Sequence, residues 1–367
     1  MRMLNNENLS FSHNADTEGT IRIASVAVAT PPYITNQAQA EAFLIKHYTK
    51  RLGSRNLETL HKIFAHPSVL RRHIAVEDLE CLVNEHPDSR IARFTYWAVD
   101  LSSQAIVKAL TQVGLTVDAV SGLVVNTCTG YICPGISTYL IEKLGLSNQI
   151  RAHDLVGSGC GGAVPNLQMC EDMLKRSDNN NVILSVSVEI CSATFQMADD
   201  LSLIISNAIF ADGAAASVLW HRPEGLALIA SASHYDPKYR NDIRYIYKNG
   251  QLHNQLSIFL PELASKTVAR VVMELLKPRG LQIKDIKHWA LHPGGEKVIN
   301  AIKNEVGLSE TQLHITRDVL AKYGNMSSPT VLFVLHEILD KGIKPGDWCI
   351  MIAFGAGLCA HALLLRA

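Results

Sequence analysis

Residues 154–163, which read DLVGSGCGGA, place a cysteine between an apolar run and an apolar helical pattern. A strand, a glycine-rich turn and then a helix would put Cys160 at a helix N-terminus, where the helix dipole favours thiolate. The flanking glycines allow a ligand and the backbone to approach the sulfur closely. The stretch therefore predicts a nucleophilic cysteine. A small buried cysteine at a packing site is the alternative.

Short apolar runs rich in Val, Ile and Ala alternate with longer helical patterns on both sides of this turn. Such alternation predicts a layered α/β architecture. The predicted strands are residues 122–126, 150–156, 182–188, 214–220, 287–292 and 348–354. The predicted helices are residues 91–113, 134–144, 161–175, 262–276, 296–306 and 329–339.

The turn at Cys160 has a faint counterpart later in the chain. Residues 324–328, GNMSS, also lead from small residues into an apolar helix and then a buried strand. A duplicated α/β unit would produce this repetition. The turn-like residues 221–225 suggest a join, so we predict halves at 21–222 and 223–367 after a flexible N-terminal tail at 1–20.

Composition limits the possible functions. Of 367 residues, 47% are hydrophobic and 19% charged, which is enough apolar material for a large core. Lys plus Arg and Asp plus Glu each number 34, so no overall charge favours nucleic acid or an anionic membrane. The eight cysteines lack zinc-ligand spacing, which predicts free thiols, no metal and a cytoplasmic location. The first residues lack a signal-peptide pattern, and no apolar run is long enough for a membrane span.

Two other polar residues stand at predicted element boundaries. His292 ends a strand before a Pro-Gly-Gly turn, from which it could project into a site. The alternative is a strand-end histidine bonded to a carbonyl. Asn325 precedes a helix, where an N-cap is the ordinary role. Its functional alternative is an amide that donates to a developing oxyanion.

Cys160, the HPGG stretch at 292–295 and the GNMSS stretch at 324–328 occur together in one order and spacing. From about Ile21 to its end, the chain resembles the type III polyketide synthases, the chalcone synthase-like family. The resemblance implies a homodimer of thiolase-fold subunits, each a duplicated five-layered αβαβα unit. It also implies that no metal or redox cofactor is needed.

The same resemblance assigns roles. Cys160 would be acylated by a starter thioester, with acyl-CoA and acyl-ACP both open as donors. His292 and Asn325 would hold malonyl-CoA, promote its decarboxylation and stabilise the enolate, and His292 would also pair with the Cys160 thiolate. Phe210 resembles the family's gatekeeper phenylalanine, although an ordinary core aromatic is the alternative. Glu189 also fits the family pattern.

Several predicted cavity positions differ from the plant enzymes. Cys128 and Cys191 stand where those enzymes carry threonine, Cys133 where they carry methionine, and Ala193 where they carry valine. With Ser327, these residues predict a less polar or roomier lining that suits a long acyl chain. We therefore predict an alkylresorcinol- or alkylpyrone-like product.

Two further family features are less complete. Arg71 and Arg72 resemble the basic segment near the CoA tunnel and could bind phosphate, with a solvated surface pair as the alternative. Residues 250–261 form a shorter segment than in the plant enzymes, and no second gatekeeper can be assigned there. Phe259 lies nearby but does not align, and Ala356 replaces a usual proline.

Two other functions compete with this one. A ketoacyl-ACP synthase III-like enzyme shares the fold and the Cys, His and Asn set, but usually carries HQAN and GNTS stretches. A non-catalytic thiolase-like partner subunit typically lacks the nucleophile, whereas Cys160 is present here. The motifs favour the polyketide synthase.

Overall fold

The computed structural model describes residues 20–176, 180–248 and 250–367. The predicted N-terminal tail lies outside these ranges except for Thr20. The strands are β1 (Arg22–Ala29), β2 (Ile34–Asn36), β3 (Arg71–His73), β4 (Val120–Asn126), β5 (Arg151–Leu155), β6 (Val182–Ile190), β7 (Asp212–Trp220), β8 (Leu226–Tyr235), β9 (Ile243–Lys248), β10 (Gln251–Leu256), β11 (Ile286–Leu291), β12 (Trp348–Gly355) and β13 (Cys359–Arg366). The helices are α1 (Gln37–Tyr48), α2 (Ser54–Phe64), α3 (Pro87–Gln112), α4 (Ile136–Leu144), α5 (Ala163–Lys175), α6 (Leu201–Ile209), α7 (Leu260–Leu276), α8 (Glu296–Val306), α9 (Glu310–Tyr323) and α10 (Thr330–Asp340).

Nine strands form one mixed sheet in the order β11-β12-β13-β8-β1-β7-β6-β4-β5. β1 meets β8 through two residue pairs, so the sheet consists of two halves joined at this point. From β1, the pairings to β7, β6 and β4 run antiparallel, antiparallel and parallel. From β8, the pairings to β13, β12 and β11 repeat that series. The repeated order confirms the predicted duplication.

Helices α5 and α10 lie between the two half-sheets. Apolar residues of both helices, such as Leu167 and Phe333, share a buried cluster with Val124 of one half-sheet and Met351 of the other. Helix α3 covers the outer face of the first half-sheet, and α7 covers that of the second. The resulting α, β, α, β, α layers confirm the predicted five-layered fold. Strands β6 and β7 are buried along their whole length because helices cover both faces.

A smaller cluster closes one edge of these layers. Helices α1, α2 and α6 bury Phe43, Leu60, Phe64 and Ile204 against one another. The hairpin of β9 and β10 pairs in full register, and β10 packs against α6. Residues of α6 and of this hairpin line two neighbouring cavities.

Candidate active site

Cys160 lies in a short 3-10 turn, Gly159–Gly161, which joins β5 to α5. Gly355, at the end of β12, packs directly on this turn. A Cβ at Gly355 would collide with the carbonyl oxygen of Ser158 and the amide nitrogen of Gly161. The absence of a side chain at Gly355 therefore lets the second half-sheet approach the turn that carries the cysteine.

The sulfur of Cys160 accepts a hydrogen bond of 3.2 Å from Oγ of Ser327. Burial raises the pKa of the Cys160 thiol to about 12, and the bond from Ser327 lowers it in part. The predicted thiolate is therefore not favoured in this state, because loss of solvation outweighs the helix dipole.

His292 follows the last residue of β11, and its amide donates to the carbonyl of Ile352 at 2.8 Å. The residue is 1% exposed, and its ring meets the ring of Phe354 edge-on, with the ring centroids 5.2 Å apart. Burial lowers the pKa of His292 to about 3, so the imidazole is neutral. Among the described residues, neither ring nitrogen has a hydrogen-bond partner.

The predicted ion pair between His292 and Cys160 is not formed in this structure. The two side chains line the same cavity, but the thiol bonds to Ser327 and the imidazole nitrogens are unpaired within the described ranges. Burial stabilises the neutral form of both groups, so no charge attraction draws them together.

The side chain of Asn325 has a defined orientation. Its Oδ1 accepts a hydrogen bond of 2.8 Å from the amide of Ser327. Because a backbone N–H can only donate, the oxygen must face it, and the NH₂ group is left to donate elsewhere. The N-cap alternative is wrong, since α10 begins at Thr330 and Pro329 holds the cap position.

One cavity of about 540 Å³, counting its open mouth, brings half of the predicted site residues together. All three predicted catalytic side chains line it, although they come from three separate stretches of the chain. The predicted lining residues Cys128, Phe210 and Ser327 also face it. The catalytic cavity, as we call it, is lined from the predicted set by Cys128, Cys160, Phe210, His292, Asn325 and Ser327.

Glu189 lies behind this lining. One carboxylate oxygen accepts from the hydroxyls of Thr127 and Thr129 and from the amide of Cys128, at 3.1, 2.8 and 2.9 Å. The other accepts from Ser328 at 2.6 Å. Burial raises the pKa of Glu189, and these hydrogen bonds lower it in part. Glu189 therefore fixes the loops that carry Cys128 and Asn325, and it does not itself line the catalytic cavity.

Three other predicted cavity residues lie elsewhere. Cys191 lines a second, neighbouring cavity. Ala193 belongs to the apolar cluster under α3. Cys191 and Ala193 point in different directions because residues 191–194 form a 3-10 turn. Cys133 is exposed in the loop before α4. Within this subunit none of the three lines the catalytic cavity, which differs from the prediction.

The two predicted CoA-binding arginines differ in their surroundings. Arg72 is 3% exposed, and its Nη1 donates to the carbonyls of Asn207 and Phe210 at 2.7 and 2.9 Å. Burial lowers the pKa of Arg72 to about 10. Arg72 is therefore not available to a CoA phosphate, because it is buried and its Nη1 group is bonded to carbonyls at the end of α6. Arg71 is exposed, and its role in CoA binding stays a prediction.

Two polar side chains of the hairpin are among the lining residues that were not predicted from the sequence. Tyr245 of β9 and Asn254 of β10 face the catalytic cavity from the hairpin. Phe259, the nearest phenylalanine to the missing second gatekeeper, is 60% exposed and does not line it. No glycine or proline signal marks either hairpin residue, so pattern reasoning had no means to find them.

The fold and the site together define a class. A duplicated five-layered fold, with a cysteine before one central helix and a histidine and an asparagine from the other half, is the arrangement of thiolase-fold condensing enzymes. Residues 33–228 match the family described as FAE1/Type III polyketide synthase-like protein. Residues 228–367 match the chalcone and stilbene synthases, C-terminal domain.

Individual relatives agree with these matches. The chain is 28% identical over 323 residues to 3,5-dihydroxyphenylacetyl-CoA synthase of Streptomyces toyocaensis, covering 84% of this chain and 82% of the relative. It is 28% identical over 360 residues to the alpha-pyrone synthesis polyketide synthase-like Pks18 of Mycobacterium tuberculosis, covering 93% and 90%. The crystal structure of PKS-I from the brown alga Ectocarpus siliculosus superposes with a TM-score of 0.87 at 28% identity, covering 96% and 99%. The chain belongs to the type III polyketide synthases, which are acyltransferases that catalyse decarboxylative condensation.

Proposed function

We propose that Cys160, His292 and Asn325 catalyse the loading of an acyl-CoA starter and its extension with malonyl-CoA. The observation that carries the proposal is their position around one cavity, with the amide of Asn325 held as a donor by Ser327. The neutral imidazole of His292 would serve first as a base. It would accept the thiol proton of Cys160 while the sulfur attacks the starter thioester and CoA leaves as its thiol.

Extension would use the same groups in a different way. Malonyl-CoA loses CO₂, and negative charge develops on its thioester oxygen. The NH₂ of Asn325 and an N–H of His292 would donate to that oxygen and stabilise the enolate. The enolate carbon then attacks the acyl group on Cys160, which forms a carbon–carbon bond and releases the sulfur. Phe210, in the wall beside Cys160, would exclude water from the enolate.

For the product, we propose an alkylpyrone- or alkylresorcinol-like ring made from an alkyl starter. The names of the relatives support this class, since one refers to alpha-pyrone synthesis and the other to a dihydroxyphenyl product. The catalytic cavity is also lined largely by apolar side chains such as Ile209, Leu256 and Leu260. An apolar lining suits an alkyl chain.

We also propose that the enzyme is a cytoplasmic homodimer. Strand β5 ends the sheet; Val156, which follows it, is 64% exposed, and Tyr131, in the loop after β4, is 71% exposed. An open edge strand with neighbouring apolar side chains is a suitable surface for a second copy. The cysteines of the structure are free thiols, as in a reducing compartment. Among the described residues, no helix is both long and apolar enough to cross a bilayer.

The proposal is tested by incubating the protein with a panel of acyl-CoAs and isotope-labelled malonyl-CoA. We expect acyl mass on Cys160, release of CO₂ and products whose masses increase by acetate units. Parallel reactions with the same acyl groups on an acyl carrier protein identify the preferred donor. Absence of condensation products with every CoA and carrier-protein thioester would contradict the proposal.

A further inference from the structure

A chain of buried polar side chains crosses between the two halves of the fold, behind the turn that carries Cys160. We call it the polar chain, and its members in order are Asn166 of α5, Asn126 of β4, Ser328 and Glu189 of β6. None of the four is more than 4% exposed. The catalytic steps proposed above use none of them, so these buried polar groups need a separate account.

The first half-sheet fixes the orientation of the polar chain at one end. The Nδ2 group of Asn166 lies 2.9 Å from the carbonyl oxygen of Val186 and 3.2 Å from that of Val124. Because a backbone carbonyl can only accept, the NH₂ of Asn166 must face the sheet. The same NH₂ donates to Oδ1 of Asn126 at 2.9 Å, and the hydroxyl of Ser187 donates to that oxygen at 2.7 Å. The NH₂ of Asn126 therefore points away from Asn166.

The other end of the polar chain reaches the second half of the fold. Nδ2 of Asn126 donates to Oγ of Ser328 at 2.9 Å, so the hydroxyl of Ser328 is left to donate to Glu189. A Cβ on Gly162 would lie 2.8 Å from Nδ2 of Asn126. The amide of Asn126 thus packs against the turn after Cys160 on one side and bonds to Ser328 on the other.

Ser328 belongs to the turn at residues 324–328, which carries Asn325. Its neighbour Ser327 donates its hydroxyl to Cys160 and its amide to Oδ1 of Asn325. The buried cluster that joins the half-sheets through α5 and α10 consists of apolar side chains, and apolar attraction has no preferred direction. Hydrogen bonds do have one, so the polar chain can fix how this turn sits against the first half.

We propose that Asn126 and Asn166 are positioning residues for the condensation, which act through Ser328 to hold the Asn325 amide in register with Cys160. This inference rests on the functions proposed for Cys160 and Asn325. The enolate must form within reach of the acyl group on the sulfur, and a misplacement of about 1 Å can cost on the order of a hundredfold in rate. Loading of the starter does not use Asn325, so it should depend much less on the polar chain.

The test measures the two half-reactions in Asn126→Ala, Asn166→Ala and Ser328→Ala. Loading of hexanoyl-CoA on Cys160 is followed by intact-protein mass spectrometry without malonyl-CoA, and should stay close to the wild-type rate. The rate of carbon–carbon bond formation should fall on the order of ten- to a hundredfold. CO₂ released per bond formed should rise, because an enolate out of reach of the acyl group takes a proton from solvent and leaves as acetyl-CoA.

Leu167→Ala is the matched control. Leu167 follows Asn166 on α5 and is fully buried in the apolar cluster, so its truncation destabilises the fold without cutting the polar chain. Its ratio of CO₂ to bonds formed should equal that of wild type. Thermal unfolding ranks the stability losses and shows which variants are folded, and any one folded variant of the polar chain suffices. An equal rise of the ratio in Leu167→Ala would mean that general loosening explains the effect, which overturns the proposal.

Failure of this inference differs from failure of the proposed function. If wild type condenses and folded variants of the polar chain show unchanged condensation and an unchanged CO₂ ratio, the positioning role is wrong and the proposed function stands. If wild type neither loads an acyl group nor releases CO₂ with any thioester, the proposed function itself is wrong.

Discussion

The hydroxyl of Ser327 lies 3.2 Å from the sulfur of Cys160 and donates to it. The same oxygen is 3.4 Å from the sulfur of Cys128. Ser327 has a φ of +57°, and its amide donates to Oδ1 of Asn325. A single residue in a left-handed conformation therefore connects the predicted nucleophile with the predicted enolate-binding amide. The relative position of the Cys160 sulfur and the Asn325 amide therefore depends on the backbone of the 324–328 turn.

The first prediction concerns the nucleophile. Cys160→Ala should abolish both acyl-enzyme formation and product, because the thioester can form only on that sulfur. The change removes one atom beside glycines, so the variant should stay folded. Cys128→Ala is the matched control, since its sulfur shares the hydroxyl of Ser327 yet should not carry the acyl group. Intact-protein mass spectrometry distinguishes the two, and acyl mass on Cys160→Ala would refute the assignment.

The second prediction concerns the ionisation of Cys160. With a pKa near 12, the thiolate fraction at neutral pH is small and grows about tenfold with each pH unit. Alkylation of the free enzyme by iodoacetamide should therefore accelerate steadily between neutral pH and the alkaline limit of stability. Ser327→Ala removes the bond that lowers this pKa, so alkylation at a fixed pH should slow further.

A pH-independent rate of alkylation would contradict this prediction. A rate that is constant above about pH 6 would mean that Cys160 and His292 form an ion pair in solution. In that case His292→Ala should restore the rising profile, because the sulfur would lose its cationic partner. The comparison of wild type, Ser327→Ala and His292→Ala decides between a neutral Cys160 thiol and an ion pair of Cys160 with His292.

The third prediction separates the two half-reactions. Asn325→Ala should lower malonyl-CoA decarboxylation by roughly a hundred- to a thousandfold, the cost of losing an oxyanion donor. Loading of Cys160 should survive better, because the amide of Asn325 bonds to Ser327 and not to the sulfur. His292→Ala should impair both steps, since the imidazole is proposed to serve in each. Release of CO₂ and acyl mass are measured separately, and equal losses in Asn325→Ala would argue against distinct roles.

The fourth prediction uses the two neighbouring arginines. Arg72→Met should lower the free energy of unfolding by about 3 kcal/mol, because two buried carbonyls lose a charged donor. It should also loosen Phe210 and, through it, Asn325. The amide of Asn325 donates to the carbonyl of Ile209 at 2.8 Å, and the amide of Ala211 donates to the carbonyl of Asn325 at 3.0 Å. More CO₂ should then be released per product formed. Arg71→Met should leave stability and this ratio unchanged while raising the KM for CoA thioesters at low salt. A raised KM with unchanged stability in Arg72→Met would restore its predicted role in CoA binding.

The three residues proposed to be catalytic could be picked out from the sequence because each lies next to a conspicuous local signal. Glycines surround Cys160, a Pro-Gly-Gly turn follows His292, and a glycine precedes Asn325. Such residues mark turns at the ends of strands and helices, here after β5, β11 and α9. The alternation of apolar runs and helical patterns likewise predicted the layers, because a strand buried on both faces must be apolar throughout.

The cavity walls could not be predicted in the same way. Arg72 stands beside Arg71 in sequence, yet its partners lie 135 and 138 positions further along the chain, at Asn207 and Phe210. Tyr245 and Asn254 face the cavity because of hairpin register, which a polar stretch specifies weakly. Bulky substitutions at Ala193 or Cys133 are accordingly not expected to shorten the accepted starter through the wall of the catalytic cavity.

The last prediction concerns acid stability and a histidine that the proposed mechanism does not use. His361 of β13 is fully buried beneath the turn that carries Cys160, with Nδ1 bonded to Oγ of Ser233 at 2.8 Å. A Cβ on Gly161 would lie 3.2 Å from its ring. Burial lowers the pKa of His361 to about 4, whereas in the unfolded chain it returns to its ordinary value of 6.5. Between these two values the unfolded state binds the additional proton.

The contribution of His361 to the free energy of unfolding is therefore fully present above about pH 6.5 and is lost as the pH falls toward 4. His361→Gln keeps an amide that can bond to Ser233 but cannot titrate, so its unfolding free energy should depend less on pH. The difference in slope should approach 1 kcal/mol for each pH unit in this window. His292 is buried in the same manner and remains in both proteins, so its contribution cancels in the comparison. Denaturant unfolding between pH 7 and pH 4 gives the two slopes, and parallel slopes would mean that His361 takes up its proton without unfolding.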